Sequence, residues 1–218
     1  MTRFARVQPL LQEGVFQKIQ NAKILLLGVG GVGGVCLDCL LRSGVVDITI
    51  VDFDSFDETN QNRQLYSELY IGVSKVQSLK NHYKNIKIIE KRIDVAWVEG
   101  FDFSSYDIVL DAIDDREAKI ALAMKCHKKL ISSFGSAKRM DPTKVEVSDI
   151  WKSYGDKFGS KIRYELRKRG FNKKYKVVFS SEEALCKEMG SFMGVTATFG
   201  LVMCAESLKM IQKMEKKV

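Results

Sequence analysis

The stretch Lys23 to Ser43, KILLLGVGGVGGVCLDCLLRS, constrains the fold more than any other part of the chain. Its apolar run, Ile24 to Leu27, lies between a lysine and a glycine and reads as a buried parallel strand. Gly28, Gly30, Gly31, Gly33 and Gly34 follow, then an apolar helical pattern through Val35, Leu37, Cys39, Leu40 and Leu41, closed by Ser43-Gly44. Strand, glycine turn and helix open a dinucleotide-type βαβ unit. Glycines let the backbone turn tightly and bring its N–H groups close to phosphate, at the positive end of the helix dipole. The next strand, Ile48 to Val51, ends in Asp52, about 20 residues past the glycines, where a carboxylate accepts from ribose hydroxyls. The combination predicts a nucleotide site at Gly28, Gly30, Gly31, Gly33 and Asp52. The alternative is a tight turn in a sheet that holds no ligand.

The rest of the chain alternates between strand and helix patterns. Gly72 to Tyr83 and Ala118 to Lys128 read as helices, and Asn85 to Ile89, Tyr106 to Ile113, Lys129 to Ser133, Val145 to Ile150 and Lys176 to Phe179 as strands. Apolar residues from Val7 to Ile19 recur near helical spacing, so Phe4 to Ile19 is expected to form an N-terminal helical arm. Asp94 to Tyr106 reads as mixed and loop-rich, and Gly194 to Lys213 as a long C-terminal helix. The expected fold is α/β: a Rossmann-like, doubly wound, mainly parallel sheet with a mixed or antiparallel extension and a C-terminal helix. With 218 residues, the chain is expected to be one domain, with a nucleotide-binding core at 1–135 and a basic extension at 136–218.

A formal net charge of +8 points to an anionic partner or to a solvated basic face. No charged n-region followed by an apolar h-region opens the chain. The longest apolar run, Phe192 to Ala205, is broken by glycines and threonines and reads as too short to span a bilayer. Five cysteines without a secretion signal fit a cytoplasmic protein with reduced thiols and no membrane span. Cys36 and Cys39 form a CxxC inside a helix, with no second pair to complete a zinc site, and are read as packing residues.

Polar connections after strands are where α/β sheets place chemistry. Between Phe53 and Tyr66 stand carboxylates at Asp54, Asp57 and Glu58, amides at Asn60, Gln61, Asn62 and Gln64, and one cation, Arg63. Arg63 either clamps phosphate or neutralises its acidic neighbours. Lys75, at a helix start where a cation is disfavoured, marks a nearby phosphate or is a surface lysine. Asp114 and Asp115 follow a buried strand; hard oxygen ligands there suit Mg²⁺ shared with phosphates, or cap the next helix, or divide the two tasks. From Asp156 to Lys176, Lys161, Arg163, Arg167, Lys168, Arg169, Lys173 and Lys174 are interleaved with Phe158, Tyr164, Phe171 and Tyr175. That pattern fits a nucleic-acid surface or a basic amphipathic helix.

GVGGVG at Gly28 to Gly33, VDFD at Val51 to Asp54, TNQNRQ at Thr59 to Gln64, Lys75, and LDAIDD at Leu110 to Asp115 resemble the ubiquitin-activating-type adenylyltransferases in order and spacing. A closer resemblance runs nearly end to end, to the tRNA threonylcarbamoyladenosine dehydratase family. It rests on Arg3-Phe4, Gly30 to Gly33, Thr59 to Gln64, Ala112 to Asp114, Asp141 to Asp149, Val178 to Leu185 and Val195 to Gly200. The stretch between Leu185 and Gly190 is shorter than that family carries, and Arg6 replaces a small residue.

The resemblance implies ATP-dependent adenylation of the threonyl carboxylate in tRNA, followed by ring closure with loss of water. Gly28 to Gly33, Asp52, Asp54, Asn62, Arg63 and Lys75 would contact ATP, and Asp114 would hold Mg²⁺. Cys186 is the one candidate for the family's cysteine. Arg6 or Arg3 would reach the ATP of a partner subunit, which implies a homodimer, and a sulfur-relay protein is a further partner the family allows. The basic stretch would track the tRNA backbone. The competing readings are activation of the C-terminus of a ubiquitin-like sulfur carrier, a nicotinamide-dependent oxidoreductase, and a nucleotide-binding scaffold without turnover.

Overall fold

Uncharged runs of Ile, Leu and Val need cover on both faces, and they form the centre of the sheet. The structure, a computed structural model, describes residues 3–214. In chain order the elements are α1 (Val15–Asn21), β1 (Lys23–Leu27), α2 (Gly33–Arg42), β2 (Asp47–Asp52), α3 (Lys75–His82), β3 (Lys87–Glu90), α4 (Val95–Gly100), β4 (Ile108–Asp111), α5 (Arg116–Cys126), β5 (Leu130–Ser133), β6 (Val145–Asp149), α6 (Lys157–Lys168), β7 (Lys176–Ser180) and α7 (Met193–Lys213). The seven strands make one sheet in the order β3-β2-β1-β4-β5-β7-β6. All pairings are parallel except that of β6 with β7, the antiparallel extension expected.

One face of the sheet is covered by α1, α2 and α7, through Ile19, Leu37, Leu40, Phe199 and Met203. The other is covered by α4, α5 and α6, through Val98, Ile120, Leu122, Ile162 and Leu166. The chain leaves β1 toward β2 on one side, while β4 lies on the other. The carboxyl ends of β1 and β4 therefore flank the topological switch point, where open α/β sheets leave a crevice.

Several expectations need correction. The N-terminal arm is no continuous helix: Pro9 opens a short 3₁₀ turn, Gln8–Leu10, and Gly14 is left-handed immediately before α1. Asp94 to Tyr106 contains α4, capped by the Asp94 carboxylate accepting from Trp97 N–H at 2.8 Å. The long C-terminal helix forms within one residue of the expected bounds, but as a whole α7, with 21 residues, is long and apolar enough to cross a membrane by length and composition, which the shorter apolar run did not suggest. It is packed as a core helix, with Val195, Phe199, Met203, Cys204 and Ile211 buried. Its buried Glu206 pairs with Lys176 of β7 and with Lys209.

Beneath the crevice, at the ends of β4 and β5, lies a buried ion pair that the sequence reading did not identify. Lys119 Nζ is 2.9 Å from Asp111 Oδ1, and both side chains are almost fully buried. Ser132 Oγ donates to Asp111 Oδ2 at 2.6 Å, and Lys119 also donates to the Ser133 carbonyl at 2.6 Å. Removing one partner strands a charge in the interior. Lys119→Met is expected to cost about 3–5 kcal/mol in denaturant unfolding. Asp111→Leu combined with Lys119→Met is expected to cost less than the sum of the two single changes, because the pair is removed together.

Candidate functional site

The register places Leu27 between Val51 and Asp111, so the residues just past them, Gly28, Asp52 and Ala112, form the floor of the crevice. Gly28 N–H donates to the Val51 carbonyl at 2.8 Å, and Ala112 N–H to the Leu27 carbonyl at 2.8 Å. Two glycines are dictated here by space and conformation. Gly28 has φ +83°, and a Cβ on it would lie 2.8 Å from the Ala112 oxygen. A Cβ on Gly33 would lie 1.9 Å from the Gly28 oxygen. Gly30 and Gly31 sit on the open side of the same turn, facing Gln64 and Arg63.

Asp52 is buried at the end of β2 and serves the turn itself. Its Oδ2 accepts from Val29 N–H at 2.8 Å and its Oδ1 from Asp54 N–H at 3.0 Å. Asp54 is half exposed and pairs with Lys75, Nζ to Oδ2 at 3.0 Å. The Lys75 side chain is only 7% exposed, which rules out the surface-lysine reading. Burial of this ammonium at the first residue of α3 keeps a cation at the positive end of a helix, held by a single carboxylate.

Arg63 lies against Gly31, with Cγ 3.2 Å from where a Cβ of that glycine would stand. Its Nη1 donates to the Thr59 carbonyl at 2.7 Å and to Asn62 Oδ1 at 2.9 Å. Arg63 is thus oriented by its own loop and does not pair with the carboxylates of that stretch among the described residues. Asn62 Nδ2 in turn donates to the Ser191 carbonyl at 2.9 Å, tying this loop to the segment before α7.

Of Asp114 and Asp115, it is Asp115 that caps the next helix. Asp115 Oδ1 caps α5, accepting from Ala118 N–H at 2.9 Å. Asp114 is exposed at the crevice rim and makes no hydrogen bond or ion pair among the described residues. No group of three metal-ligating side chains occurs among the described residues. Any divalent ion at Asp114 would therefore take its remaining oxygens from water or a bound ligand.

Two side chains that the sequence reading counted only as part of a polar stretch stand out. Asn60 and Gln64 are 4% and 7% exposed, yet Asn60 Oδ1 and Gln64 Oε1 have no hydrogen-bond partner. Unpaired buried acceptors are costly, and the Gln64 amide lies beside the glycine turn, its Nε2 3.7 Å from where a Cβ of Gly30 would stand. Another residue missed is Arg139, which hooks the loop after β5 to the loop after β7: Nε donates to the Glu182 carbonyl at 3.0 Å, and Nη2 pairs with Asp156, the cap of α6, at 3.3 Å.

Among the described residues, no hydrogen bond or ion pair joins the other expected residues to this cluster. Cys186 is exposed on the loop after β7, its Sγ donating to the Glu188 carbonyl at 3.3 Å. Arg6 is exposed in the N-terminal turns, and Arg3 there donates to the Leu41 carbonyl at the C-terminal end of α2. That end lies about 15 Å, one helix length, from the glycine turn of the same chain. Among the basic residues, Arg163 Nη1 donates to Ser153 Oγ at 2.6 Å, the Arg167 guanidinium lies over the Trp151 ring at 5.1 Å, and Arg169 pairs with Glu117 at 2.6 Å. Arg169, then Arg116, hold the Glu117 carboxyl below the usual range. Lys161, Lys168, Lys173 and Lys174 are exposed.

The open and closed sides of the glycine turn respond differently to one added methyl. Gly33→Ala is expected to lose the fold, seen as a loss of cooperative unfolding. Gly30→Ala is expected to leave the melting temperature within a few degrees, because its nearest neighbour would be Gln64 Nε2 at 3.7 Å.

Comparison with known proteins places this arrangement. The ThiF family model matches residues 3–218. The chain is 35% identical to the tRNA threonylcarbamoyladenosine dehydratase of Bacillus subtilis, covering 87% of this chain and 81% of that protein. It is 28% identical to the enzyme of the same name from Escherichia coli, over 95% of this chain and 92% of that one. The crystal structure of the E. coli enzyme in complex with ATP superposes with a TM-score of 0.89 at 29% identity, covering 96% of this chain and 93% of that chain. The match runs through the extension after residue 135 as well as the nucleotide-binding half, and on this evidence the chain belongs to the ThiF family.

Proposed function

We propose that this chain is an ATP-dependent tRNA threonylcarbamoyladenosine dehydratase. The observation that carries the reading is the near end-to-end correspondence, in sequence and in fold, with enzymes of that name, one of them solved with ATP bound. The crevice suits the nucleotide: the open face of the glycine turn meets Arg63 and the Gln64 amide, and the Lys75 ammonium is held by Asp54 in the loop after β2.

In this reading the N–H groups at Gly30 to Gly33 cradle the phosphates, while Asp52 holds the turn and would accept from the ribose hydroxyls with its remaining lone pairs. A threonyl carboxylate oxygen attacks the α-phosphorus of ATP, and pyrophosphate leaves. Two anions must meet in that step, and Arg63 and Lys75 stabilise the charge that builds on the phosphate oxygens. The exposed Asp114 would hold a magnesium ion, which would supply charge screening between carboxylate and triphosphate. The neighbouring carbamoyl group then attacks the acyl adenylate and AMP departs, closing the ring with net loss of water. Arg6, exposed on an arm that Arg3 ties to the C-terminal end of α2, would serve a second copy's nucleotide in a homodimer. Lys161, Lys168, Lys173 and Lys174 supply the exposed cations for tRNA, and a cytoplasmic location follows from that substrate.

The test is nucleoside mass spectrometry of threonylcarbamoyladenosine-bearing tRNA incubated with the protein and ATP. The expected product is lighter by one water, with AMP and pyrophosphate released in step. Unchanged tRNA, together with adenylation of a ubiquitin-like carrier protein, would overturn the reading. Lys75→Ala and Asp114→Ala are each expected to lower turnover about 100-fold or more while leaving unfolding cooperative. Gly30→Ala is expected to weaken ATP binding in an equilibrium titration.

A further inference from the structure

The α6 helix has two unlike sides. Its inner side is packed: Ile162 and Leu166 are fully buried. Trp151, Phe171 and Tyr175 are taken up by neighbouring rings and by Arg167. On the outer side stands Tyr164, 65% exposed, with no aromatic contact among the described residues. Lys161 and Lys168 lie three and four residues from it, so the ring is flanked by exposed cations on one helical face.

Tyr164 lines a shallow hollow together with Ser160, Lys161, Glu165 and Arg116. Arg116 is the first residue of α5 and stands two positions after Asp114, so the hollow opens beside the crevice rim. The acidic groups facing it are Glu165 and Glu117. Glu117 is shared by Arg116 at 3.2 Å and Arg169 at 2.6 Å, leaving Lys161 and Lys168 as net positive charge around the ring. A flat, solvent-facing π surface ringed by cations suits a nucleotide unit: a base on the ring and phosphates on either side. Bases of a tRNA loop are unpaired and can be splayed onto such a surface, whereas paired bases cannot.

Resting on the dehydratase reading above, we propose that Tyr164 is the stacking platform for an unpaired base adjacent to the modified adenine, with Lys161 and Lys168 holding the flanking phosphates. The ring then measures the distance between a loop base and the crevice, and makes Tyr164 a positioning residue for the reacting carboxylate.

The experiment uses the full chain with ATP and an anticodon stem-loop carrying a fluorescent adenine analogue beside the modified position. In the wild-type protein, binding is expected to quench the analogue. Tyr164→Ala is expected to lose the quench and to weaken RNA binding roughly ten-fold, while the salt dependence of binding keeps its slope. Tyr164→Phe is expected to restore both quench and affinity. Lys161→Gln is expected to keep the quench and lower the salt slope by about one. ATP binding is expected to be equal in all four proteins, since none of these side chains borders the glycine turn. Wild-type quench and affinity in Tyr164→Ala would overturn the stacking proposal and leave the dehydratase reading standing. Failure of the wild-type protein to bind RNA, with adenylation of a carrier protein instead, would overturn both.

Discussion

The parallel pairing of β1 with β4 is the constraint on which the site depends. It brings two strand ends side by side whose chains then depart in opposite directions. Because a Cβ on Gly28 would stand 2.8 Å from the Ala112 oxygen, the two connections can touch only if that residue is glycine. From this contact the glycine turn rises on one side and Asp114 on the other. The Asp111–Lys119 pair lies directly beneath, and its hydrogen bonds to Ser132 and Ser133 link β4 to β5 at the same level.

The electrostatics of the crevice are set up before any ligand arrives. Lys75 is buried against Asp54, and Arg63 is oriented by a carbonyl and an amide of its own loop. Cations held this way need little reorganisation when negative charge accumulates, which is the condition under which fixed charges contribute most to a transition state. Asp52 illustrates the same economy of design: both of its oxygens accept from backbone N–H groups and hold the turn and the following loop in register.

The segment after residue 135 has two physical roles. Its strands β6 and β7 extend the sheet, so its ordering depends on the same core as the nucleotide half. Its loops form the rim: Arg139 joins the loop after β5 to that after β7, and Asn62 joins the polar loop to the segment leading into α7. The basic residues are divided accordingly, the arginines mostly engaged within the protein and the lysines facing solvent.

Much of the architecture was legible in the residues, because it follows from local pattern. Ile24 to Leu27 and Ile108 to Leu110 had to be buried strands, and the glycines between β1 and α2 had to be a turn. Ion pairing across distant segments has no local signature: nothing near Asp111 announces Lys119, and nothing near Arg139 announces Asp156. The N-terminal arm misled because apolar spacing continues through Pro9 and Gly14, where the backbone cannot remain helical. By itself, then, the order of residues determined the strands, the turn and the family motifs, since each depends on near neighbours. Folding in three dimensions decided which arginines are spent inside the protein, which carboxylate faces the crevice and that Tyr164 stands in the open. Those properties arise only when separate elements exclude water from one another and leave other groups in it.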